Sequence, residues 1–279
     1  MKLEDWLKQA SAKLKLADIP SWHQDAKFIA MHYLDLESTQ LILADSTVPK
    51  ADLDKLNLAI KRRVEMEPLA YIIGETNFYG RDFIVDNRVL IPRPETENLI
   101  DFILSLKLEE PKLVDIGTGS GIIGLTLACE IFKSEVNMLD ISSDCLEVTR
   151  MNSERLRDEI NSNKSTLNFK QSDLLADCEF EPLDLIVANL PYVDISWDWL
   201  DLKSLSFEPS LALWAEDSGL SLVKKLIDQS FSYLKPGGHL VLEVDSSQKE
   251  KVEIYGKDVG FKPIRLEPKF GQFIVVFRI

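Results

Sequence analysis

The segment Leu113-Val114-Asp115-Ile116-Gly117-Thr118-Gly119-Ser120-Gly121 decides the fold of this chain. Its first four residues form a short, mostly apolar run that is typical of a buried strand, and a helical pattern follows over 122–131. The glycines in between allow the backbone to approach a ligand closely, and the next helix directs its free N–H groups to the same place. The segment therefore predicts the first strand, loop and helix of a ligand-binding α/β sheet.

The alternation of strand and helix continues beyond this segment. Further strands are predicted over 136–139, 167–170, 183–188 and 238–244. Repeated βα units build a mostly parallel sheet with right-handed crossovers. Two closely spaced strands near the end of the chain, over 262–266 and 273–277, predict a C-terminal hairpin that adds an antiparallel edge. The fold class is therefore α/β, Rossmann-like, and we assign this domain to residues 91–279.

The region before the sheet is predicted to hold a small helical bundle over residues 1–70. The apolar residues of its first helix repeat at the spacing of one buried face: Leu3, Trp6, Leu7, Ala10 and Leu14. Further helices are predicted after Pro20, over 39–44, and from Pro49. Residues 71–90 then predict a β-hairpin linker with glycines at its turns. In the Pro-rich run that follows, Thr96 or Glu95 is predicted to cap the next helix.

The composition limits the classes of partner. The formal net charge is −14, which disfavours a nucleic-acid backbone as the main partner. No apolar run reaches the roughly 20 residues that a bilayer span needs, and the acidic, amphipathic N-terminus does not resemble a signal peptide. The three cysteines and three histidines are scattered, so no metal site is predicted. We expect a cytoplasmic protein that does not bind membranes.

Three acidic residues accompany the glycine loop. Asp140 ends the next predicted strand, where a carboxylate accepts hydrogen bonds from ribose hydroxyls. Asp173 follows the third strand and could accept from an adenine amino group, while Asp115 could take the cationic amino group of a methionine moiety. This set favours S-adenosylmethionine. Gly119, Gly121 and Gly124 also satisfy a dinucleotide fingerprint, so a nicotinamide-dependent oxidoreductase and a plain tight turn stay open as alternatives.

A second motif follows the strand predicted over 183–188: Asn189-Leu190-Pro191-Tyr192. The Asn189 side chain offers one acceptor oxygen, and the backbone carbonyl of Leu190 offers another. Pro191 stiffens the turn, and Tyr192 adds an aromatic wall. Two fixed acceptors beside a flat ring suit a planar group that carries NH2, so the motif indicates chemistry on an amide or amino nitrogen. The alternative is a β-turn with a capping asparagine.

Over nearly its whole length the chain resembles the HemK/PrmC group of peptide-chain release factor glutamine methyltransferases. The resembling stretches are Glu67 to Gly74, Phe78 to Gly80, Leu90 to Glu97, Asp115 to Gly121, Asp140 to Ser142, Asn152, Gln171 to Leu174, Asn189 to Tyr192, Phe207 to Pro209, and Gly237-Gly238 leading to Glu243 and Gln248. The resemblance implies a helical bundle, a hairpin linker and a class I methyltransferase domain.

The resemblance also implies roles for individual residues. Those expected to contact S-adenosylmethionine are Gly117, Thr118, Gly119, Ser120, Gly121, Asp140, Asp173 or Leu174, and Asn189. Asn189, Leu190, Pro191 and Tyr192 would hold the substrate glutamine, which lies in the Gly-Gly-Gln motif of release factors and is methylated on its side-chain nitrogen. The bundle would dock the release factor.

One residue and one segment depart from the family pattern. The family usually has Asn-Pro-Pro-Tyr, and Leu190 stands at its second position. Asn-Leu-Pro-Tyr also resembles the motif of rRNA adenine dimethylases, so an adenine in RNA or DNA stays an alternative target. The other departure is Pro268-Lys269-Phe270-Gly271, where the family tends to carry an acidic residue. Arg93 and Glu95 either contact substrate or brace the linker.

Overall fold

The computed structural model describes residues 1–43, 47–176, 178–198, 200–267, 270 and 273–279. It divides the chain into two compact units. The first comprises Met1–Glu75 and Asp201–Phe207, and the second comprises Thr76–Leu200 and Glu208–Ile279. Of the segment 268–271, only Phe270 lies within the described residues. Within the described ranges of the chain, no helix combines the length and the apolarity needed to cross a membrane.

The first unit is helical, as predicted. Its helices are α1 (Leu3–Leu16), α2 (Trp22–Leu34), α3 (Ser38–Leu43), α4 (Lys50–Val64), α5 (Leu69–Ile73) and α10 (Leu202–Leu205). The apolar faces of α1, α2 and α4 form one core that includes Trp6, Ile29 and Leu56. The last residue predicted for α3, Ala44, lies outside the described residues. Residues 71–73, predicted as part of the hairpin, belong to α5, because Pro68 begins this helix and Gly74 ends it with φ +86°.

The hairpin strands are β1 (Glu75–Phe78) and β2 (Arg81–Ile84). Tyr79 and Gly80 join them and both have positive φ, which is the geometry of a type I′ turn. The buried amide of Asn152 accepts from the Ile84 N–H at 2.7 Å and donates to the Ile84 carbonyl at 3.0 Å. These bonds fix β2 within the second unit, and the linker role of 71–90 stays a prediction.

A seven-stranded sheet forms the centre of the second unit. Its strands are β3 (Lys112–Ile116), β4 (Glu135–Asp140), β5 (Thr166–Gln171), β6 (Leu183–Ala188), β7 (Leu234–Glu243), β8 (Lys262–Pro263) and β9 (Ile274–Arg278). The order is β5-β4-β3-β6-β7-β9-β8, with β3 to β7 parallel and β9 antiparallel to both β7 and β8. The predicted mostly parallel sheet with an antiparallel C-terminal hairpin is confirmed.

Helices cover both faces of this sheet. They are α6 (Glu97–Ser105), α7 (Ile122–Glu130), α8 (Ser143–Arg155), α9 (Arg157–Ser162), α11 (Glu216–Gly219), α12 (Ser221–Ser230) and α13 (Lys249–Val259). Alternating strand residues feed two apolar cores, with Leu185 and Val187 in one and Ile186 and Ala188 in the other. Strands buried on both faces end at a common edge, and the candidate site lies at that edge.

Candidate active site

A cleft opens at the carboxyl ends of the parallel strands. Its floor and walls come from the glycine loop, from the ends of β4, β5 and β6, and from two further segments, and they include Arg88, Leu90, Pro92, Arg93, Ile116, Gly117, Thr118, Gly119, Ser120, Asp140, Ile141, Ser142, Ser172, Asp173, Leu174, Asn189, Leu190, Pro191, Pro209, Leu211 and Ala212. Most of the residues predicted for the site therefore meet in one cavity. Asp115, Gly121 and Tyr192 lie just outside this lining.

The glycine loop is held in place by backbone and side-chain bonds. The N–H groups of Gly117 and Thr118 both donate to the Leu139 carbonyl, at 2.8 and 3.0 Å. The Thr149 hydroxyl of α8 donates to the Gly119 carbonyl at 2.8 Å. Gly117 has φ +69°, a conformation that side-chain-bearing residues rarely adopt. The loop is therefore a fixed surface that exposes backbone to the cleft.

Asp140 connects the end of β4 to this loop. One carboxylate oxygen accepts from the Gly119 N–H at 2.9 Å, and the other accepts from the Ser142 N–H at 2.9 Å. Burial raises the pKa of Asp140, and the backbone hydrogen bonds from Ser142 and Gly119 act against that rise. Each carboxylate oxygen keeps lone pairs beyond those that the backbone uses. The residue lines the cleft and is suited to accept hydrogen bonds from sugar hydroxyls.

Asp115 lies fully buried beneath the glycine loop. Its Oδ2 atom accepts from the Thr118 hydroxyl at 2.7 Å and from the Gly124 N–H at 3.0 Å. Burial raises its pKa to about 6. Its Oδ1 atom has no hydrogen-bond partner among the described residues. The geometry makes Asp115 a support for the loop, and its predicted contact with a cationic amino group stays a prediction that would use Oδ1.

Gly121 serves packing. It has φ +86°, and a Cβ placed there would lie 2.8 Å from a methyl carbon of Leu125 and 2.9 Å from one of Thr149. The glycine is therefore required where α7 begins and α8 crosses close by. Ser120 lines the cleft and Gly121 does not, and the contact of Gly121 with the cofactor stays a prediction.

The end of β5 contributes Asp173 and Leu174, and both line the cleft. The exposed Asp173 carboxylate forms an ion pair with Lys225 at 2.5 Å. Leu174 is buried and has φ +54°. This arrangement offers an apolar contact and a backbone edge to a planar base, whereas the Asp173 carboxylate already has a cationic partner.

Asn189 follows β6, and its side-chain amide is oriented by two neighbours. Its Nδ2 donates to Oε1 of Glu243 at 2.9 Å and approaches the Thr96 hydroxyl at 3.4 Å. Both neighbours are buried. Because the nitrogen is engaged on this side, Oδ1 is the atom left to accept a hydrogen bond from a ligand.

Leu190, Pro191 and Tyr192 continue the same turn. Leu190 is 4% exposed and packs beside Gly117. The Tyr192 carbonyl accepts from Nε2 of Gln248 at 2.8 Å, and the same nitrogen donates to the Ser218 carbonyl at 2.9 Å. Burial, and after it the charge of Glu243, raises the pKa of Tyr192. The turn is therefore rigid.

The structure also assigns positions that the sequence interpretation missed. Thr96 or Glu95 was predicted as a helix cap, but Thr96, which precedes α6, forms no side-chain cap bond and its hydroxyl lies 3.4 Å from Nδ2 of Asn189. Glu208 accepts from Arg93 at 2.6 Å and from the Ile91 N–H at 3.1 Å, which braces the segment 90–97 against 208–212. The family resemblance was the one indication of these residues in the sequence, because their hydrogen-bond partners are far away along the chain.

Known proteins resemble this chain in both sequence and fold. Residues 5–74 match the family described as PrmC N-terminal domain, and residues 96–198 match the methyltransferase small domain. The chain shares the fold of a methyltransferase from Pyrococcus furiosus, with a TM-score of 0.51 at 18% identity over 72% of this chain and 90% of that one. The fold and the site define a class I methyltransferase that uses S-adenosylmethionine.

Sequence relatives give the particular family. The chain is 36% identical to a release factor glutamine methyltransferase of Koribacter versatilis, over 95% of this chain and 94% of the relative. It is 31% identical to a release factor glutamine methyltransferase of Salmonella typhimurium, over 97% and 96%. The chain belongs to the release factor glutamine methyltransferase family. This membership decides against the oxidoreductase alternative.

Proposed function

We propose that this protein methylates the side-chain amide nitrogen (N5) of the glutamine in the Gly-Gly-Gln motif of peptide chain release factors. The orientation of Asn189 carries the proposal, because an amide that accepts through Oδ1 complements a substrate NH2. The names of the relatives, at 36% and 31% identity over nearly the whole chain, support the same substrate.

The substrate amide needs this arrangement because its nitrogen is a poor nucleophile. The lone pair is delocalised into the carbonyl, and attack requires the nitrogen to become pyramidal. Asn189 Oδ1 and the Leu190 carbonyl accept one N–H each, which aligns the nitrogen and favours the geometry of the transition state. Tyr192 stacks beside the planar group. The nitrogen gains the methyl group and releases one proton, so one N–H bond is replaced by one N–C bond.

The residues around the cleft fit the cofactor that the fold class uses. Asp140 would accept hydrogen bonds from the ribose hydroxyls, Gly117 and Gly119 would present their backbone, and Leu174 would contact the adenine. Leu190 packs against Gly117, where an added Cβ would lie 3.0 Å from its side chain, so the glycine loop and the reactive turn form one continuous wall of the cleft. S-adenosylmethionine, when bound, supplies an activated methyl carbon on a positively charged sulfur.

The helical unit serves to dock the release factor. Its match to the PrmC N-terminal domain supports this role. Large apolar side chains are exposed on three of its helices, with Leu16 at 86%, Phe28 at 49% and Leu58 at 59% exposure. Exposed apolar side chains mark a protein-binding surface where they form one contiguous patch, so these three positions are the ones to substitute in a binding assay with the release factor.

The test is methyl transfer to a purified release factor. The protein, S-adenosylmethionine and the release factor are incubated together, and the tryptic peptide that contains Gly-Gly-Gln is examined by mass spectrometry. A mass increase of one methyl group on the glutamine is expected. A release factor with Gln→Ala in the motif is the substrate control, and Asn189→Ala is the enzyme control. A methyl group added to RNA or DNA in a parallel reaction, with none added to the peptide, would support the adenine alternative and reject the proposal.

A further inference from the structure

The sheet register places Asn189 and Glu243 side by side. In the parallel pair of β6 and β7, Ala188 is the partner of Leu242. The next residues are Asn189, just after β6, and Glu243, the last residue of β7. Neighbours at the same register point to the same face of a sheet. The two side chains therefore meet by the construction of the sheet, and they do so at the cleft edge.

The contacts around Glu243 are buried. The residue is 2% exposed, and Thr96 is fully buried beside it. Oε1 of Glu243 accepts from Asn189 Nδ2 at 2.9 Å. Its Oε2 atom has no hydrogen-bond partner among the described residues. Removing a carboxyl group from water is costly in free energy. The hydrogen bond from the reactive asparagine to this buried carboxyl group therefore indicates that Glu243 has a role at the site.

We propose that Glu243 is a positioning residue that fixes the orientation of the Asn189 amide, so that Oδ1 and not Nδ2 faces the substrate nitrogen. The proposal rests on the proposed function. An ionised carboxylate can only accept hydrogen bonds, so it requires Nδ2 on its side and excludes the flipped amide. The Thr96 hydroxyl both donates and accepts, so it tolerates either orientation. The selection therefore depends on Glu243.

The protonation state of Glu243 then determines how strongly one orientation of the Asn189 amide is favoured over the other. A protonated carboxyl group carries an O–H that can donate to Asn189 Oδ1, and this would stabilise the flipped amide. Burial raises the pKa of Glu243 to about 7, with Glu95 adding to the rise and Thr96 and Asn189 opposing it. Tyr192 is its titratable neighbour, and Arg93, Asp245 and Glu95 are the charged groups around that ring.

The test compares two substitutions at this position. Glu243→Met removes the acceptor, and Glu243→Gln keeps an acceptor but allows both orientations. The kcat for glutamine methylation is expected to fall about 10- to 100-fold in Glu243→Met, and less in Glu243→Gln. The dissociation constant for S-adenosylmethionine should change by less than about threefold, since only turnover uses the orientation. The wild-type kcat should rise with pH through about 7, and both variants should lose that rise.

Asp184→Asn is the matched control. Asp184 lies at the other end of β6, where it accepts from the Lys112 N–H at 3.0 Å and pairs with Lys235. The substitution removes a partly buried carboxylate from the neighbouring strand without touching the cleft. This variant should keep the wild-type kcat and the wild-type pH profile. Parallel losses of kcat, cofactor affinity and folded fraction in Glu243→Met would mean a structural role only and would overturn the proposal.

A second readout does not depend on methyl transfer. In protein labelled with ¹⁵N-asparagine, the side-chain signal of Asn189 is identified by its loss in Asn189→Ala. This signal should shift with pH around a midpoint of about 7 in the wild type and should be independent of pH in Glu243→Gln. A signal that is unchanged by Glu243→Gln would overturn the positioning role. If the signal behaves as expected but no glutamine is methylated by the wild type, then the proposed function has failed and the amide orientation has not.

Discussion

Leu190 lies so close to Gly117 that a Cβ added at residue 117 would be 3.0 Å from Leu190 Cδ2. The contact joins the glycine loop after β3 to the reactive turn after β6, and these two strands are paired in the sheet. The surface that is expected to hold the cofactor and the turn that is expected to hold the substrate therefore share one van der Waals contact. Leu190, the departure from the family pattern, is the residue that makes it.

Gly117→Ala tests this contact. The alanine would have to adopt φ +69° and push Leu190 aside, so a loss of stability of more than about 1–2 kcal/mol is expected, together with weaker cofactor binding. Gly80→Ala is the control, since Gly80 has φ +75° and no atom within 4 Å of the added Cβ. Denaturant unfolding and titration calorimetry measure both. Adding Leu190→Ala to Gly117→Ala should recover the part of the stability loss that comes from the steric clash, but not the part that comes from the positive φ. Equal losses of stability in Gly117→Ala and Gly80→Ala would contradict the contact.

Asn189→Ala separates binding from turnover. The substitution removes an acceptor that is used mainly as the substrate nitrogen becomes pyramidal, so kcat should fall by about 100-fold or more. The dissociation constant for S-adenosylmethionine should change little. Single-turnover kinetics with the release factor and calorimetry with the cofactor alone give the two quantities. Equal losses in both would show that Asn189 acts only as a cofactor ligand.

Asp140→Ala should have the opposite effect. It removes the expected ribose acceptor and also releases the Gly119 and Ser142 N–H groups, each held at 2.9 Å. Cofactor affinity should fall by about 10- to 100-fold, because charge-assisted hydrogen bonds are lost. Asp173→Asn is the comparison, since that exposed carboxylate pairs with Lys225 and should matter less. An Asp140→Ala variant with wild-type affinity would refute the ribose assignment.

Arg93→Ala tests whether this residue braces the segment 90–97. The Glu208 side chain is 3% exposed, and without Arg93 the Ile91 N–H would be its one remaining donor among the residues that the structure describes. A loss of stability of about 1–3 kcal/mol is expected for a buried carboxylate that loses its cationic partner. Adding Glu208→Gln should restore part of the loss in thermal unfolding. If stability is unaffected while the KM for the release factor rises, Arg93 contacts substrate instead.

Glu243→Gln should change the pH dependence of stability. The carboxyl has an ordinary pKa of 4.5 and a folded pKa of about 7, so the folded state holds the proton over a range in which the unfolded state has lost it. Stability therefore falls as pH rises from 4.5 towards 7. Asp115 and Asp140 act in the same direction and the lowered pKa of His239 acts against them, so the contribution of Glu243 is the difference between the wild type and Glu243→Gln. Melting temperatures measured from pH 4.5 to 7 should fall more steeply in the wild type than in Glu243→Gln.

Much of the fold could be predicted because apolar runs carry it. The strand predicted over 183–188 is β6 as observed, since a strand buried on both faces must be apolar throughout. The helices α9, α12 and α13 were not predicted, and residues 71–73 were placed in a hairpin. The helices α9 and α5 are only six and five residues long, and a helix of that length has too few residues for its periodicity to differ from that of a strand.

The site was predicted only where its residues follow strands directly. Asp140 and Asn189 end strands, so their position follows from the sheet. Thr96 was misread because a threonine before a helix is usually a cap, and local sequence does not show that its hydroxyl has a partner 93 positions away. The partner of Asn189, Glu243, is 54 positions away, and only strand pairing brings them together. Register is a property of the assembled sheet, so no local pattern contains it.

The pairing of Ala188 with Leu242 has a consequence for how the gene can change. Loops on the protein surface tolerate insertions, but a codon gained or lost within either strand would turn one of the two polar side chains to the opposite face. Such an indel would change composition and hydropathy by a single residue and leave the four letters of the reactive motif unaltered. It would nevertheless separate the amide from its carboxylate partner, so viable descendants of this enzyme should keep the length from Leu185 to Asn189 and from His239 to Glu243.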